Sequence, residues 1–304
     1  MTTAVSIGID VGGTKCLGVA LQGDSIVAEE LRPTPRGPGS LDELVEVLHE
    51  LVVDLDPGGD AEAVGVGVPG LVTRSGVLRA AANLDGVADF DIKGRLEERV
   101  GRRIRVDNDA TCAAVAEWRV GAGRGAHDLV LVTLGTGIGG GIVADGRLRR
   151  GRNGFAGEFG HMVVDPDGPW CPCGQRGCWE RYASGSGLAR LAREAAVARR
   201  VGRVLELAGG DPEAVRGEMV QQAAREGDPD ALAVIDDFGR WVALGLVNLT
   251  NAYDPEMFVL GGGLAAGADL YLDPIRHWFG ELLYARDLRP VPIIEFATLG
   301  PRAG

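Results

Sequence analysis

One pattern occurs twice and limits what this chain can fold into: an apolar strand, a turn rich in glycine, threonine or both, and a second strand at once. The first copy is Ala4–Asp10, turning through Asp10-Val11-Gly12-Gly13-Thr14-Lys15 into Cys16–Leu21. The second is Leu129–Leu134, turning through Gly-Thr-Gly-Ile-Gly-Gly-Gly into Ile142–Asp145. Two such hairpins far apart in one chain predict two related α/β domains, each offering a backbone-lined turn. At 304 residues the chain is long enough for two compact cores. The boundary is expected near 107/108, giving a smaller domain over 1–107 and a larger one over 108–297, with 298–304 free to return to the first.

Elements between the hairpins follow hydrophobic period. Ser25–Leu31 extends the first hairpin to a meander. Leu41–Leu55 is helical, with Ser40 and Glu43 spaced as a capping box. Ala61–Val68 is a buried strand, Ile92–Val100 a helix, Arg103–Val106 a strand and Ala110–Val120 a helix. Past the second hairpin, helices are expected at Gly187–Arg200, Glu213–Glu226 and Asp230–Ala252. Met257–Leu260 is a strand running into Gly261-Gly262-Gly263; a helix over Asp269–Tyr284 and a strand over Pro292–Phe296 follow.

The turns suit an anionic ligand. Glycines free backbone N–H groups to cradle phosphate oxygens, Thr14 adds a donor and Asp10 can hold a hydrated Mg²⁺. Taken alone, the first turn reads equally well as a plain hairpin. The second contains G-x-G-x-x-G, but Ile142-Val143 continues as strand where a dinucleotide fingerprint needs a helix, so that reading is set aside. Gly261–Gly263 is a third place where backbone can approach a ligand. Asp107-Asn108-Asp109 closes a strand just before a helix, where open α/β sheets place functional groups. Asp109 could take a proton from an attacking hydroxyl and Asn108 could orient it; equally, the pair could only cap the helix.

Between Gly157 and Glu180 lie His161, Cys171, Cys173 and Cys178, separated by Gly and Pro. Three thiolates and an imidazole form a closed tetrahedral zinc set with no open position, hence a structural zinc. Glu158 and Glu180 bracket it. Either they are ordinary surface acids, or the metal fixes the loop so that both face a neutral polyol, whose hydroxyls carboxylates accept well. No Lys or Arg occurs in Gly154–His161 or Asp107–Asp109, which disfavours a phosphorylated or acidic substrate. Arg149, Arg150 and Arg152 read as a solvated face. The net charge of −12 argues against a nucleic-acid or anionic-membrane partner. No apolar run approaches the ~18 residues of a membrane span, and the N-terminus lacks a signal-peptide pattern, so a cytoplasmic protein is expected.

Taken together, D-V-G-G-T-K (10–15), G-V-G-V-P-G (65–70), N-L (83–84), D-N-D-A (107–110), L-G-T-G-I-G-G-G (134–141), G-E-F-G-H (157–161) and C-P-C-G-Q-R-G-C-W-E (171–180) resemble the bacterial sugar kinases of the ROK (repressor/ORF/kinase) family over nearly the whole chain. The resemblance implies an actin-like (ribonuclease H-like) two-domain fold, with ATP phosphates and sugar in the interdomain cleft. It implies transfer from ATP with Mg²⁺ to the 6-hydroxyl of glucose. Members acting on mannose, fructose, allose or an N-acetylhexosamine, or using polyphosphate, are the alternatives. It makes Asp109 the general base. Asn83, Asn108, Asp109, Glu158, His161 and Glu180 would bind sugar. Asp10, Gly12, Gly13, Thr14, Lys15, Thr136 and Gly137 would meet the nucleotide phosphates and their Mg²⁺, and Gly262 the adenosine. Zn²⁺ would sit on His161, Cys171, Cys173 and Cys178, with His161 serving both sets through its two nitrogens. A homodimer or homotetramer is implied. The family's repressors carry an N-terminal DNA-binding domain; with nine residues before Asp10, a kinase is expected here. Thr111 stands where the family commonly has Asn, and the chain stops at Gly304, so that the family's closing helix is either cut off or absent.

Overall fold

The computed structural model describes residues 4–81, 84–300 and 303. It divides into two units. The first runs to Ala116 and takes in Leu148–Gly157 and Ala303; the second takes Glu117–Arg147 and the chain from Glu158 to 300. This division differs from a cut at 107/108 because the first turns of a helix and the arginine-rich turn both cluster with the first unit.

In the first unit, β1 (Val5–Val11), β2 (Lys15–Gln22) and β3 (Ser25–Pro33) form the expected meander. Then come α1 (Ser40–Leu55), β4 (Ala63–Val68), a small pair β5 (Leu71–Val72) and β6 (Leu78–Ala80), α2 (Ile92–Val100), β7 (Arg105–Asn108) and α3 (Asp109–Val120). The sheet order is β3-β2-β1-β4-β7, antiparallel across the meander and parallel from β1 to β4 to β7. Ile7, Ile9 and Val11 on one face of β1 meet Leu44, Leu48 and Leu51 of α1 in a continuous core. The expected capping box does not form. Gly39, at φ 83°, is the N-cap and no side chain caps α1. Ser40 is the first helical residue and is buried, because a glycine turn, with Ser40 N donating to Gly37 O, delivers the chain one residue early.

The second unit repeats the plan. It contains β8 (Leu129–Leu134), β9 (Ile138–Ala144), β10 (Arg147–Leu148), α4 (Glu180–Ala183), α5 (Gly185–Val197), α6 (Gly202–Leu207), α7 (Gly217–Arg225), α8 (Pro229–Tyr253), β11 (Met257–Gly261), α9 (Ala268–Leu282) and β12 (Ile293–Phe296). Its sheet order is β10-β9-β8-β11-β12, with β8 antiparallel to β9 and parallel to β11, which is parallel to β12. The hairpin strand, then two parallel strands reached through helical crossovers, stand in the same order as in the first sheet. The fold is the two-domain, actin-like α/β class.

Three sequence expectations change here. β9 starts at Ile138, not Ile142, because Gly139, Gly140 and Gly141 pair with Thr133, Val132 and Leu131. α4 and α6 are additional short helices. The stretch 213–226 is not one helix: a 3₁₀ turn at Pro212–Ala214 ends at extended Val215, and α7 begins at Gly217. Val215 is fully buried and its carbonyl accepts from the Arg193 and Arg216 side chains, so tertiary contacts override helix propensity there. Among the described residues no helix is long and apolar enough to cross a membrane.

Candidate functional site

In the first unit, the Gly12-Gly13 turn is tied down at both ends. Gly12 N donates to Lys15 O, and the Thr34 hydroxyl donates to Gly12 O at 2.7 Å while Thr34 N donates to Thr14 O. Thr34 is buried and also contacts the Cys16 thiol. The Arg36 guanidinium donates to Gly13 O. The turn is therefore a fixed object before any ligand arrives. Thr34 gave no signal in the sequence, because its partners lie on the other side of a strand.

Asp10 is the penultimate residue of β1, beside this turn, and Asp109 begins α3. Asp10 is pushed up to about 6, by burial first and then by the charge of Asp109, with Lys15 opposing. Burial likewise raises Asp109, against hydrogen bonds from the Ala110 backbone and Asn108. Two carboxylates that resist ionising side by side are poised to receive protons or a cation. The capping alternative resolves onto Asn108. Its Oδ1 accepts from Thr111 N at 3.0 Å and its Nδ2 donates to Gly70 O at 3.1 Å. Asp107 accepts the Arg150 Nε at 2.6 Å; Arg150 stays exposed, as expected of a solvated face, and also neutralises the strand end. Asn83 lies outside the described residues.

In the second unit the metal candidates converge. Ligand atoms of His161, Cys171, Cys173 and Cys178 all lie within 4.8 Å of one another. Cys173 and Cys178 Sγ are 3.6 Å apart, and Cys171 Sγ is 3.9 Å from His161 Nδ1. A tetrahedral zinc with ~2.3 Å thiolate bonds has edges of about 3.8 Å, so the donors fit in kind and spacing. Cys171 donates to Glu180 Oε1 at 3.1 Å; burial raises the Cys171 and Cys178 thiols, while Cys173, against burial, is lowered by hydrogen bonds from its neighbours. The two ring nitrogens of His161 face different partners. Nδ1 looks to Cys171 and Glu180, and Nε2 lies 3.9 Å from Glu158 Oε2.

Glu180 is the junction of this unit. Its Oε1 meets Cys171 and its Oε2 would lie 2.7 Å from a Cβ at Gly137, so the Thr136-Gly137 turn abuts the same carboxylate as the thiol cluster. That turn is braced by α5: Gly185 N donates to Gly135 O and the Ser186 hydroxyl to Thr136 O. Fully buried Ser184 donates to Glu180 O and caps α5 at Gly187 N. The glycines of β9 also have a packing duty. Phe159 of G-E-F-G-H lies on Gly140, where a Cβ would be 2.5 Å from the ring, and Gly160 lies against Ile138 O. Gly262 adopts φ 83° and would drive a Cβ to 2.7 Å from the Leu134 backbone, while a Cβ at Gly263 would meet nothing within 4 Å.

The sequence model of the ROK family matches residues 6–304. A glucokinase of Streptomyces coelicolor is 40% identical over 304 residues, covering 99% of this chain and 95% of that protein. A glucokinase of Thermotoga maritima is 34% identical, covering 89% and 85%. Among solved structures, a ROK family glucokinase from Streptomyces griseus in complex with glucose and AMPPNP superposes with a TM-score of 0.86 at 39% identity, over 99% of this chain and 96% of that one.

Proposed function

The chain belongs to the ROK family, and from that membership we propose that it transfers the γ-phosphoryl group of ATP to the 6-hydroxyl of glucose. The observation that carries the reading is the junction at Glu180, where one carboxylate is shared by the thiol–imidazole cluster and the Thr136-Gly137 turn. A sugar held by Glu158, His161 and Glu180 is thereby registered against a phosphate-binding turn. The relatives named glucokinase and the glucose-bound neighbour support glucose as that sugar.

Asp109 takes the proton of the attacking hydroxyl as the new O–P bond forms and the bond from the γ-phosphorus to the β,γ-bridging oxygen breaks, releasing ADP; its raised pKa suits it to receive that proton. Asn108, locked by Gly70 O and Thr111 N, presents its neighbour in one orientation and contacts the sugar. Gly12, Gly13 and Thr14, with Thr136 and Gly137, meet the nucleotide phosphates through backbone and hydroxyl donors, and Lys15 adds positive charge at the first turn. Gly262 lines the adenosine side. Asp10 would hold Mg²⁺, which when bound neutralises phosphate charge. His161, Cys171, Cys173 and Cys178 would hold zinc, which when bound fixes the sugar loop without joining the reaction. Chemistry of this kind rests on positioning and charge.

An enzyme-coupled rate assay over a sugar panel, with ATP and polyphosphate as donors, tests this. Glucose with ATP is expected to give the highest kcat/KM. Preference for mannose, fructose, allose or an N-acetylhexosamine, or for polyphosphate, would move the assignment within the family; no phosphorylation of any sugar would overturn it.

A further inference from the structure

We propose that Gly245 of α8 and Trp179 form a seat that sets the position of Glu180 and Cys178, making both positioning residues for sugar binding. The inference rests on the sugar-kinase reading above. Trp179 lies in sequence between a zinc candidate and a sugar candidate, and is fully buried. Its backbone N donates to Met162 O and its indole Nε1 to Trp241 O, both at 2.8 Å. The ring lies flat on Gly245. A Cβ built there would be 1.9 Å from Trp179 Cε2, 2.1 Å from Cζ2 and 2.4 Å from Cδ2. Those atoms belong to a rigid ring system enclosed on all sides, so the ring would have to move as a body.

Glycine inside a 25-residue helix weakens that helix, and here its missing side chain is what admits the indole. The same face of α8 grips the next turn of chain. Tyr182 stacks on Trp241 with centroids 4.0 Å apart, and its hydroxyl donates to Asp165 at 2.6 Å. Trp241 and Gly245 are one helical turn apart, so α8 acts as a ruler for the segment 178–182. The depth of the indole sets the backbone of both its neighbours. A shift outward carries the Cys178 thiol away from Cys173 and the Glu180 carboxylate away from Cys171 and Gly137.

The test compares wild type, Gly245→Ala and Trp179→Phe in the zinc-loaded protein. Three quantities are read: glucose KM, ATP KM and the rate at which a chelating dye takes zinc. In Gly245→Ala, glucose KM is expected to rise at least tenfold and zinc release to quicken at least tenfold, with ATP KM within twofold of wild type. Trp179→Phe, which keeps a ring in the seat but loses the indole bond to Trp241, is expected to move the same two quantities by less, and it carries the test if the alanine variant does not fold. A residue that only stabilised the helix would lower the yield of active enzyme without separating the two KM values. Glucose KM within twofold and unchanged zinc release in a folded variant would overturn the proposal. If the wild type phosphorylates no sugar, the kinase reading fails by itself, and zinc release still decides whether the seat positions Cys178.

Discussion

Asp109 sits at the N-terminus of α3, where the helix dipole favours its charge, yet burial prevails and raises its pKa. In the proposed role of general base, Asp109 is sensitive to loss of its charge alone. Asp109→Asn is expected to lower kcat on the order of 10³-fold, with glucose affinity by calorimetry within about threefold of wild type; near-normal kcat would remove Asp109 from its role. Asp10 makes a pH prediction. Its ordinary value is 3.8 and the fold lifts it to about 6. A raised carboxyl contributes stability below pH 4 that is lost as pH climbs through 6, because the unfolded chain gives up the proton first. In nucleotide-free protein, Asp10→Asn should therefore stabilise at pH 7.5, on the order of 2 kcal/mol, and the gain should vanish near pH 4. Thermal melts of both proteins from pH 4 to 8 check this; equal stability at pH 7.5 would contradict the burial of Asp10.

At the scale of elements, the loop that carries the thiol–imidazole cluster is held by α8 through Trp179 and Tyr182. Cys173→Ala is expected to lose zinc by elemental analysis and to raise glucose KM more than tenfold, leaving ATP KM little changed. Glu117 shows a different device. This fully buried carboxylate, in the last turn of α3, accepts from the backbone N–H groups of Ala122, Thr298 and Leu299. Three donors converging on one charge offset its desolvation. Glu117→Ala should cost about 3 kcal/mol of unfolding free energy in denaturant titration, and a loss below 1 kcal/mol would contradict the account. Neither Glu117 nor Trp179 stood out in the sequence, since a glutamate in an amphipathic helix and a tryptophan beside a cysteine are common. Their partners, 298–299 and 241–245, are remote in the chain. The clustering of His161, Cys171, Cys173 and Cys178 was legible because glycine and proline between them allow few other arrangements. The capping box at Ser40 misled because a local rule cannot see that Gly37 and Gly39 already turn the chain.

For the molecule as a whole, the duplicated hairpin carried the most information. It pointed to two related domains, and the structure adds what it did not give, two sheets with the same strand order. Glycine count misled at the second copy, where part of the run serves β9 pairing and the seat of Phe159. The most direct measurement is the identity of the product. Incubated with glucose and Mg-ATP, the protein should yield ADP and one sugar phosphate in equal amounts, with phosphorus–proton coupling in NMR placing the ester on the 6-hydroxyl. An ester on the 1-hydroxyl, or free phosphate without a sugar ester, would contradict the account.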